Sequence, residues 1–417
     1  MNAAQTWMDW LEPQARFCGL QLALVGGAVR DHLLGRRGPD KDLDLVVEGP
    51  RPWPALELKN AVEQASGLPS GFTLITTQSF EAFGTAQLQL QTPDGPLLCD
   101  LSSARLEHYP FPGSHPIVSL SSLDEDLQRR DFSLNAIAQQ LPAAQHRLLD
   151  PYGGITALQD RQLDLLHPRS LSDDPTRLVR GVRYGARLNL ELTSAAAKQA
   201  ASALQSWPWP QNAPALGARL RMELELLFEE DNWAAAIELL QRWGALELLL
   251  RYWQQLPPGS LAWLKRLGLW GEALSTDPPV FSLRLLGLLL LAPTDSDGIT
   301  ALARRLQVPQ GQLKLLQQVL DLSDWLEQLG DAEQWKPSQW SEALESRGAA
   351  SQPLLVLLQL RPGGSRWRAP LLRWLWRWRL ISSPVNAREL LATGWSSGPA
   401  LGEELRRRRA EAINRRP

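Results

Sequence analysis

The sequence is short of the residues that staple or metallate a fold. Only two cysteines occur among 417 residues, Cys18 and Cys99, which excludes a disulfide framework and a cysteine-built zinc site. Five scattered histidines, with no close pair, argue against structural zinc as well. Long apolar runs are missing: the stretch at 285–292 is too short to cross a bilayer. The opening MNAAQTWMDWLEPQ has neither a basic start nor an apolar centre, so no signal peptide is expected. A reducing, cytoplasmic setting without membrane contact is the expectation. There is no Ser/His or Cys/His pairing for a nucleophile, no G-x-G-x-x-G fingerprint and no repeat of fixed period.

Net charge is also nearly absent, at -2, but it is unevenly spread. From Gly364 to the end, twelve arginines face four glutamates, leaving about +8 there and about -10 on the rest. A basic tail on an acidic body suits nucleic acid, although arginines also simply solvate helices.

Up to about residue 150, the segments LQLALV, DLDLVV, TAQLQLQ and PLLCDLS read as strands bounded by Gly, Pro and Asp turns. Beyond that, Leu/Ala/Arg/Glu segments with helical spacing dominate, broken by Pro- and Gly-rich joints. The expected organisation is a mixed head over residues 1–150, a helical neck over 151–230, and a helical body and tail over 231–417.

Chemistry concentrates in the head. In LALVGGAVRDHLLGRRGPDKDLDLVV a strand gives way to Gly26 and Gly27 and then to a helix. Backbone N–H groups at such a turn can approach phosphate oxygens, with Arg30 one turn further on. The plain alternative is that both glycines only form the turn. Asp42 and Asp44 follow on a strand, where alternate residues share a face, so two carboxylates project together. Paired carboxylates suit a hard cation such as Mg²⁺, and that reading is preferred to a solvated strand edge. Asp100, ending PLLCDLS, is the candidate third carboxylate, equally readable as a simple strand end.

Two further clusters follow. In RRDFSLNA, Arg130 and Asp131 offer donors for phosphate and an acceptor for a ribose hydroxyl; a helix start with solvated arginines is the alternative. In DDPTRLVRGVRYGARL, Asp174 and Arg177 lie three apart and share a helix face. A carboxylate beside a guanidinium complements the pairing edges of cytosine and adenine and opposes those of uracil and guanine. An ordinary intrahelical ion pair is the alternative. Arg180 and Arg183 continue at helical spacing and face either a triphosphate or water.

In order and spacing, GGAVRD…DKDLDLVV, RRDFSLNA and DDPTRLVRGVRYGARL resemble the class II tRNA nucleotidyltransferase/poly(A) polymerase family. LSSARLEHYPFPGSHPIV and LLDPYGGITALQDRQL are similar to its connecting segments, and GPALGEELRRRR to its tail. The resemblance implies an α+β fold: a nucleotidyltransferase head with a small mixed, polymerase-beta-like sheet, then an all-helical body and tail. It implies that Asp42 and Asp44 are the catalytic metal-binding pair, with Mg²⁺ as the cofactor. Gly26, Gly27 and Arg30 match the triphosphate motif. Arg130, Asp131 and Asn135 match the ribose-selecting motif, and Asp174 with Arg177 match the amino-acid template that reads CTP or ATP. Asp100 falls where the family keeps an acidic residue. Ser133 stands in place of the usual Thr, and Asp173 where Glu is commoner.

The implied reaction is template-independent addition of CMP and AMP to the tRNA 3′ end from CTP and ATP, releasing pyrophosphate. Full CCA addition is expected, with CC-only or A-only addition as alternatives. Poly(A) tailing is less favoured, because Phe83-Gly84-Thr85-Ala86 resembles the tRNA enzymes. A non-catalytic RNA-binding protein would be expected to lose a metal carboxylate, and both are present. A small-molecule nucleotidyltransferase would not need the base reader. In the body, RWRAPLLRWLWRWR at 366–379 reads as an RNA platform or, preferably, as a helix with its tryptophans in a core. The arginines at 406–409 are the better phosphate candidates, since nothing apolar competes for them.

Overall fold

The structure, a computed structural model, describes residues 2–36, 42–142, 147–206, 214–274 and 278–415; residues 37–41 of the first motif lie outside it. By its contacts the chain divides into two compact units. One comprises Met1–Arg219 with Glu238–Leu248, the other Leu220–Ile237 with Leu249–Pro417.

The first unit is built on a seven-stranded mixed sheet. Its strands are β1 (Gln21–Val25), β2 (Asp42–Glu48), β3 (Thr73–Phe80), β4 (Thr85–Thr92) and β5 (Gly95–Ser103). A separate hairpin, β6 (Arg105–His108) with β7 (Ile117–Leu120), precedes the last two, β8 (Ala138–Gln140) and β9 (Leu148–Leu149). The order is β3-β4-β5-β2-β1-β8-β9, with β2 and β5 parallel and the other neighbours antiparallel. All four strands read from the sequence are present. Helices α1 (Ala3–Phe17), α2 (Gly27–Leu33), α3 (Pro54–Gln64) and α4 (Leu123–Gln128) surround them.

Strand alternation sorts the residues of β2. Leu43, Leu45 and Val47 enter one core with Trp7, Leu11 and Leu58, as expected. Each such side chain, fully buried, contributes about 1.5–3 kcal/mol. Val46 enters a second core with Val25, Leu123 and Leu127 on the opposite face. Asp42 and Asp44 share that second face, beyond the end of its apolar cluster.

Helices α5 (Gly154–Gln159), α6 (Ser170–Asp173), α7 (Thr176–Leu188) and α8 (Ser194–Ser206) complete most of the unit. Helix α7 is amphipathic: Leu178, Val179 and Val182 are buried, while its arginines recur three and four apart on another face. Where α7 passes the RRDF segment it carries Gly181, and a Cβ there would lie 2.6 Å from Cζ of Phe132. The missing side chain lets a buried ring pack against the helix backbone. Next in the chain are α9 (Pro214–Glu229) and α10 (Trp233–Arg242).

The second unit is helical, from α11 (Ser260–Ala273) and α12 (Val280–Leu289) through α13 (Ser296–Arg305), α14 (Gln310–Gln328), α15 (Pro337–Glu345), α16 (Leu354–Leu358), α17 (Arg368–Trp376) and α18 (Ala387–Ala392) to α19 (Pro399–Asn414). Leucine and tryptophan fill it. Trp340 and Trp367 lie 5.3 Å apart by ring centroid, and Trp367, Trp374 and Trp378 are buried, so the core reading of the 366–379 segment holds for these three. Trp376 is 39% exposed. The arginines near the end are less available than expected. Arg407 and Arg408 pair with Glu404, and Arg409 makes two 2.7 Å bonds to Glu345. Carboxylates, not apolar groups, compete for them. Among the described residues no helix is long and apolar enough to cross a membrane.

Candidate active site

A cavity of about 990 Å³ opens within the first unit. Gly26, Gly27, Arg30, Asp42, Asp44, Arg130, Asp131, Asn135, Asp174, Arg177, Arg180 and Arg183 all line it. Segments as far apart in sequence as Gly26 and Arg183 thus meet at one place. Asp100 is the one candidate not among the lining residues.

The turn after β1 is set by Gly26, whose φ of +71° with ψ of -136° is a conformation that side-chain-bearing residues avoid. A Cβ at Gly26 would stand 3.6 Å from both Asp44 Oδ2 and Arg130 Nη1. The turn therefore runs beside one of the paired carboxylates and a guanidinium. Asp42 and Asp44 both keep exposed surface. The protein packed around the Asp44 carboxyl nonetheless strips part of its hydration and pushes it above its ordinary value; Arg130 opposes this, while Asp100 and Asp42 add to it. Crowded carboxylate oxygens raising one another's proton affinity are a donor set that a hard divalent cation fits. Asp100 is the register partner of Asp44 across the parallel β2–β5 pair, and its Oδ1 accepts from Gln87 Nε2 at 2.9 Å. Among the described residues no group of three or more His, Cys, Asp or Glu is arranged to hold a metal.

The RRDFSLNA segment begins no α-helix, only a single 3-10 turn at Ser133–Asn135; α4 ends just before it. A capping box between Ser122 and Glu125 starts α4, and Arg129 closes it. The arginines are not in solvent. Fully buried Asp126 receives Arg129 at 2.7 Å and Arg130 at 3.1 Å, and Arg129 also reaches Glu107 at 2.8 Å. Burial alone would push the carboxyls of Asp126 and Glu107 up, but the arginines outweigh it and hold both low. Asp131 Oδ1 accepts from the Phe132 N–H at 2.8 Å and from Asn135 Nδ2 at 2.9 Å, and its Oδ2 lies 3.4 Å from Arg180. Burial again works against the charge, and Arg180, Asn135 and Arg177 hold Asp131 below its ordinary value. Asn135 Oδ1 in turn accepts from Arg30 Nη1 at 2.8 Å, which links the first motif to the second.

Asp174 and Arg177 share the cavity but, among the described residues, form no ion pair with each other. Preceding Pro175, Asp174 is extended, at φ -140° and ψ 96°. Its Oδ1 accepts from Thr176 N at 3.1 Å and Thr176 Oγ1 at 2.7 Å, and its Oδ2 takes Arg219 Nη1 at 3.1 Å. Arg177 donates to Ser170 Oγ at 2.7 Å and to the Arg129 carbonyl at 2.8 Å. Carboxylate and guanidinium are thus anchored separately, which argues against the plain intrahelical pair.

Several lining residues were missed from the sequence. Arg219 of α9 carried no signal beyond being a cation in a Leu/Glu helix. Glu107 and Tyr109, hydrogen-bonded at 2.8 Å, sit inside a segment noted only as a connection. Among the described lining residues, nine arginines face six carboxylates, an excess suited to a polyanionic ligand such as a triphosphate. Cys99 is no part of this chemistry: it is buried, and burial pushes its thiol up to about 12.

Residues 22–164 match the poly A polymerase head domain. The chain carries that head domain. The matched residues include the first two of the motifs that resemble the tRNA nucleotidyltransferase/poly(A) polymerase family. The head contains the turn at Gly26, the Asp42/Asp44 pair and the RRDFSLNA segment, while α7 lies outside the matched residues. A CC-adding tRNA nucleotidyltransferase of Deinococcus radiodurans is 42% identical over 243 residues, 58% of this chain and 59% of that protein. An A-adding tRNA nucleotidyltransferase of Aquifex aeolicus is 36% identical over 236 residues, 56% of this chain and 26% of that protein. The match therefore spans less than two thirds of either relative. A solved CCA-adding enzyme in an apo form superposes with a TM-score of 0.73 over 99% of this chain and 92% of its own, at 23% identity. That likeness shows the fold: a nucleotidyltransferase head on a mixed sheet, followed by a helical body.

Proposed function

We propose that this chain is a Mg²⁺-dependent tRNA nucleotidyltransferase that adds CMP and AMP to the tRNA 3′ end, completing CCA from CTP and ATP. One observation carries the reading: a single cavity holds the Asp42/Asp44 pair and the separately anchored Asp174 and Arg177. The names of the two curated relatives favour tRNA as the acceptor.

In this reading Asp42 and Asp44 hold the metal, with Asp100 as a third acidic group beside Asp44. The metal, when bound, lowers the charge cost of bringing an RNA 3′-hydroxyl to the α-phosphate and of releasing pyrophosphate. The chain's own residues do the rest. The Gly26-Gly27 turn and Arg30, with Arg130 and Arg183, cradle the triphosphate. Asp131, oriented by Asn135, accepts from a ribose hydroxyl, and Arg180 keeps it ionised. Asp174 accepts from the exocyclic amino group of cytosine or adenine while Arg177 donates to the adjacent ring nitrogen. The helical segment 151–230 supplies this reader, and 231–417 the grip on tRNA.

A narrower reading, CC addition alone, is favoured by the 42% identity to a CC-adding relative. Incorporation on three tRNA transcripts, ending before CCA, after C and after CC, separates the two. Extension of all three to CCA supports full addition. A stop at CC, or A addition only to the CC-ended substrate, assigns a half-enzyme. Long A tails on any RNA, or no incorporation, overturn the proposal.

A further inference from the structure

Arg177 has a third neighbour besides Ser170 and the Arg129 carbonyl. Its Nη1 stands 3.4 Å from Nε2 of His167. A guanidinium has donors only, so this contact is a hydrogen bond only if Nε2 carries a lone pair. That condition requires a neutral imidazole with its proton on Nδ1. A protonated ring would set a donor and a positive charge against the guanidinium.

His167 is half-buried and is not among the residues lining the cavity, so it stands behind Arg177. The charged groups facing it are Arg177 on α7, and Arg169 and Asp173 at α6. Helix α8 contributes neutral Gln199, whose Nε2 donates to the His167 carbonyl at 3.3 Å. Burial first, then Arg177 and Arg169, lower the ring's proton affinity, and Asp173 only partly opposes them. The surroundings therefore keep the imidazole in the form that accepts.

We propose that His167 is a positioning residue whose neutral imidazole fixes Arg177 in the orientation that reads the base, so that base selection weakens when the ring is protonated. The inference rests on Asp174 and Arg177 being the base reader.

The test uses the full chain, equilibrium binding of CTP, ATP and UTP, and incorporation into a tRNA transcript, from about pH 5 to pH 8. Preference for CTP and ATP over UTP is expected to fall about tenfold on acidification. The fall should come below the ordinary histidine value of 6.5. His167→Gln, whose amide oxygen accepts at every pH, should keep the preference and remove its pH dependence. His167→Leu should show the loosened preference throughout, with KM and base choice moving more than kcat. If His167→Leu does not fold, the wild-type pH series and His167→Gln decide the matter. A merely structural role predicts equal losses for all nucleotides with preference unchanged, which would overturn the proposal. Arg177→Ala separates the two levels. If it loosens base choice while the His167 variants and acid do not, only the role of His167 fails. If it leaves base choice intact, the base reader fails with it.

Discussion

Arg219 and Asp174 lie 45 positions apart, yet Nη1 of the arginine stands 3.1 Å from the carboxylate Oδ2. Nη2 of the same guanidinium donates to the Gly113 carbonyl at 2.9 Å, in the loop between β6 and β7. One cation from α9 thus ties the Asp174 carboxylate to the loop between β6 and β7. Without it Asp174 keeps its bonds to Thr176 but loses the partner that fixes Oδ2. Arg219→Ala is therefore expected to raise KM for CTP and ATP about tenfold, with a smaller change in kcat. Combined with Asp174→Ala, the two losses should be less than additive in steady-state kinetics. Strict additivity would show that the ion pair does not act through Asp174.

Asp42 is exposed, so replacing it tests the proposed metal pair without loss of a core contact. Asp42→Ala should reduce nucleotide incorporation by about 10²–10³-fold or more. Its thermal unfolding should stay within roughly 0.5 kcal/mol of the parent. Magnesium titration should show the wild-type chain losing activity with chelator, and the variant regaining little at high Mg²⁺. Wild-type rates from Asp42→Ala would remove the pair from the chemistry.

The fold and the site were legible to different depths. Alternation in DLDLVV was enough to put Leu43, Leu45 and Val47 in one core and the aspartates on the other face, because a strand's period leaves no other arrangement. The arginine stripe of α7 was legible for the same reason, at helical period. RRDFSLNA was not. Its alternative reading was a helix start, while the capping box that opens at Ser122 begins a short helix that ends at this motif. What decided its arginines was Asp126, which lies only three and four residues before them but drew no attention in the sequence. Arg219 was invisible because its partners, Gly113 and Asp174, meet it only through tertiary packing. Arg409 was misjudged because Glu345, which binds it, comes from a helix 64 positions away, whereas Glu404, which takes Arg407 and Arg408, lies in their own helix and was overlooked.

Asp126 and Glu107 make a prediction about acid stability. Both carboxyls are held below their ordinary values of 3.8 and 4.5 by the arginines around them. Between the ordinary and the lowered values the unfolded chain binds more protons than the folded one, so stability is full above the ordinary values and is lost as pH falls below them. Unfolding midpoints measured in urea should therefore drop steeply below about pH 4.5. Asp126→Asn should cost roughly 3 kcal/mol at neutral pH, since two guanidinium groups lose a buried anion, and should flatten the acid slope. An unchanged slope in the variant would mean that other carboxylates govern acid unfolding.

The packing of Phe132 on Gly181 joins the RRDF segment to the helix that carries Arg177 and Arg180. The added methyl of Gly181→Ala would meet the ring at 2.6 Å, and the ring is only 1% exposed, so it has no free space to rotate into. Either α7 or the RRDF segment must shift. The expected cost is about 1–3 kcal/mol in stability, well beyond the small gain in helix propensity that alanine brings. Because Arg177 and Arg180 move with the helix and Asp131 with the ring, nucleotide affinity should fall alongside stability. Shortening the ring's reach with Phe132→Leu should recover part of both in the double variant, although Phe132→Leu alone is destabilising. Calorimetry and CTP binding on the four proteins of this cycle measure the coupling directly. If Phe132→Leu gives no relief in the Gly181→Ala background, the contact does not set the spacing between ribose and base recognition.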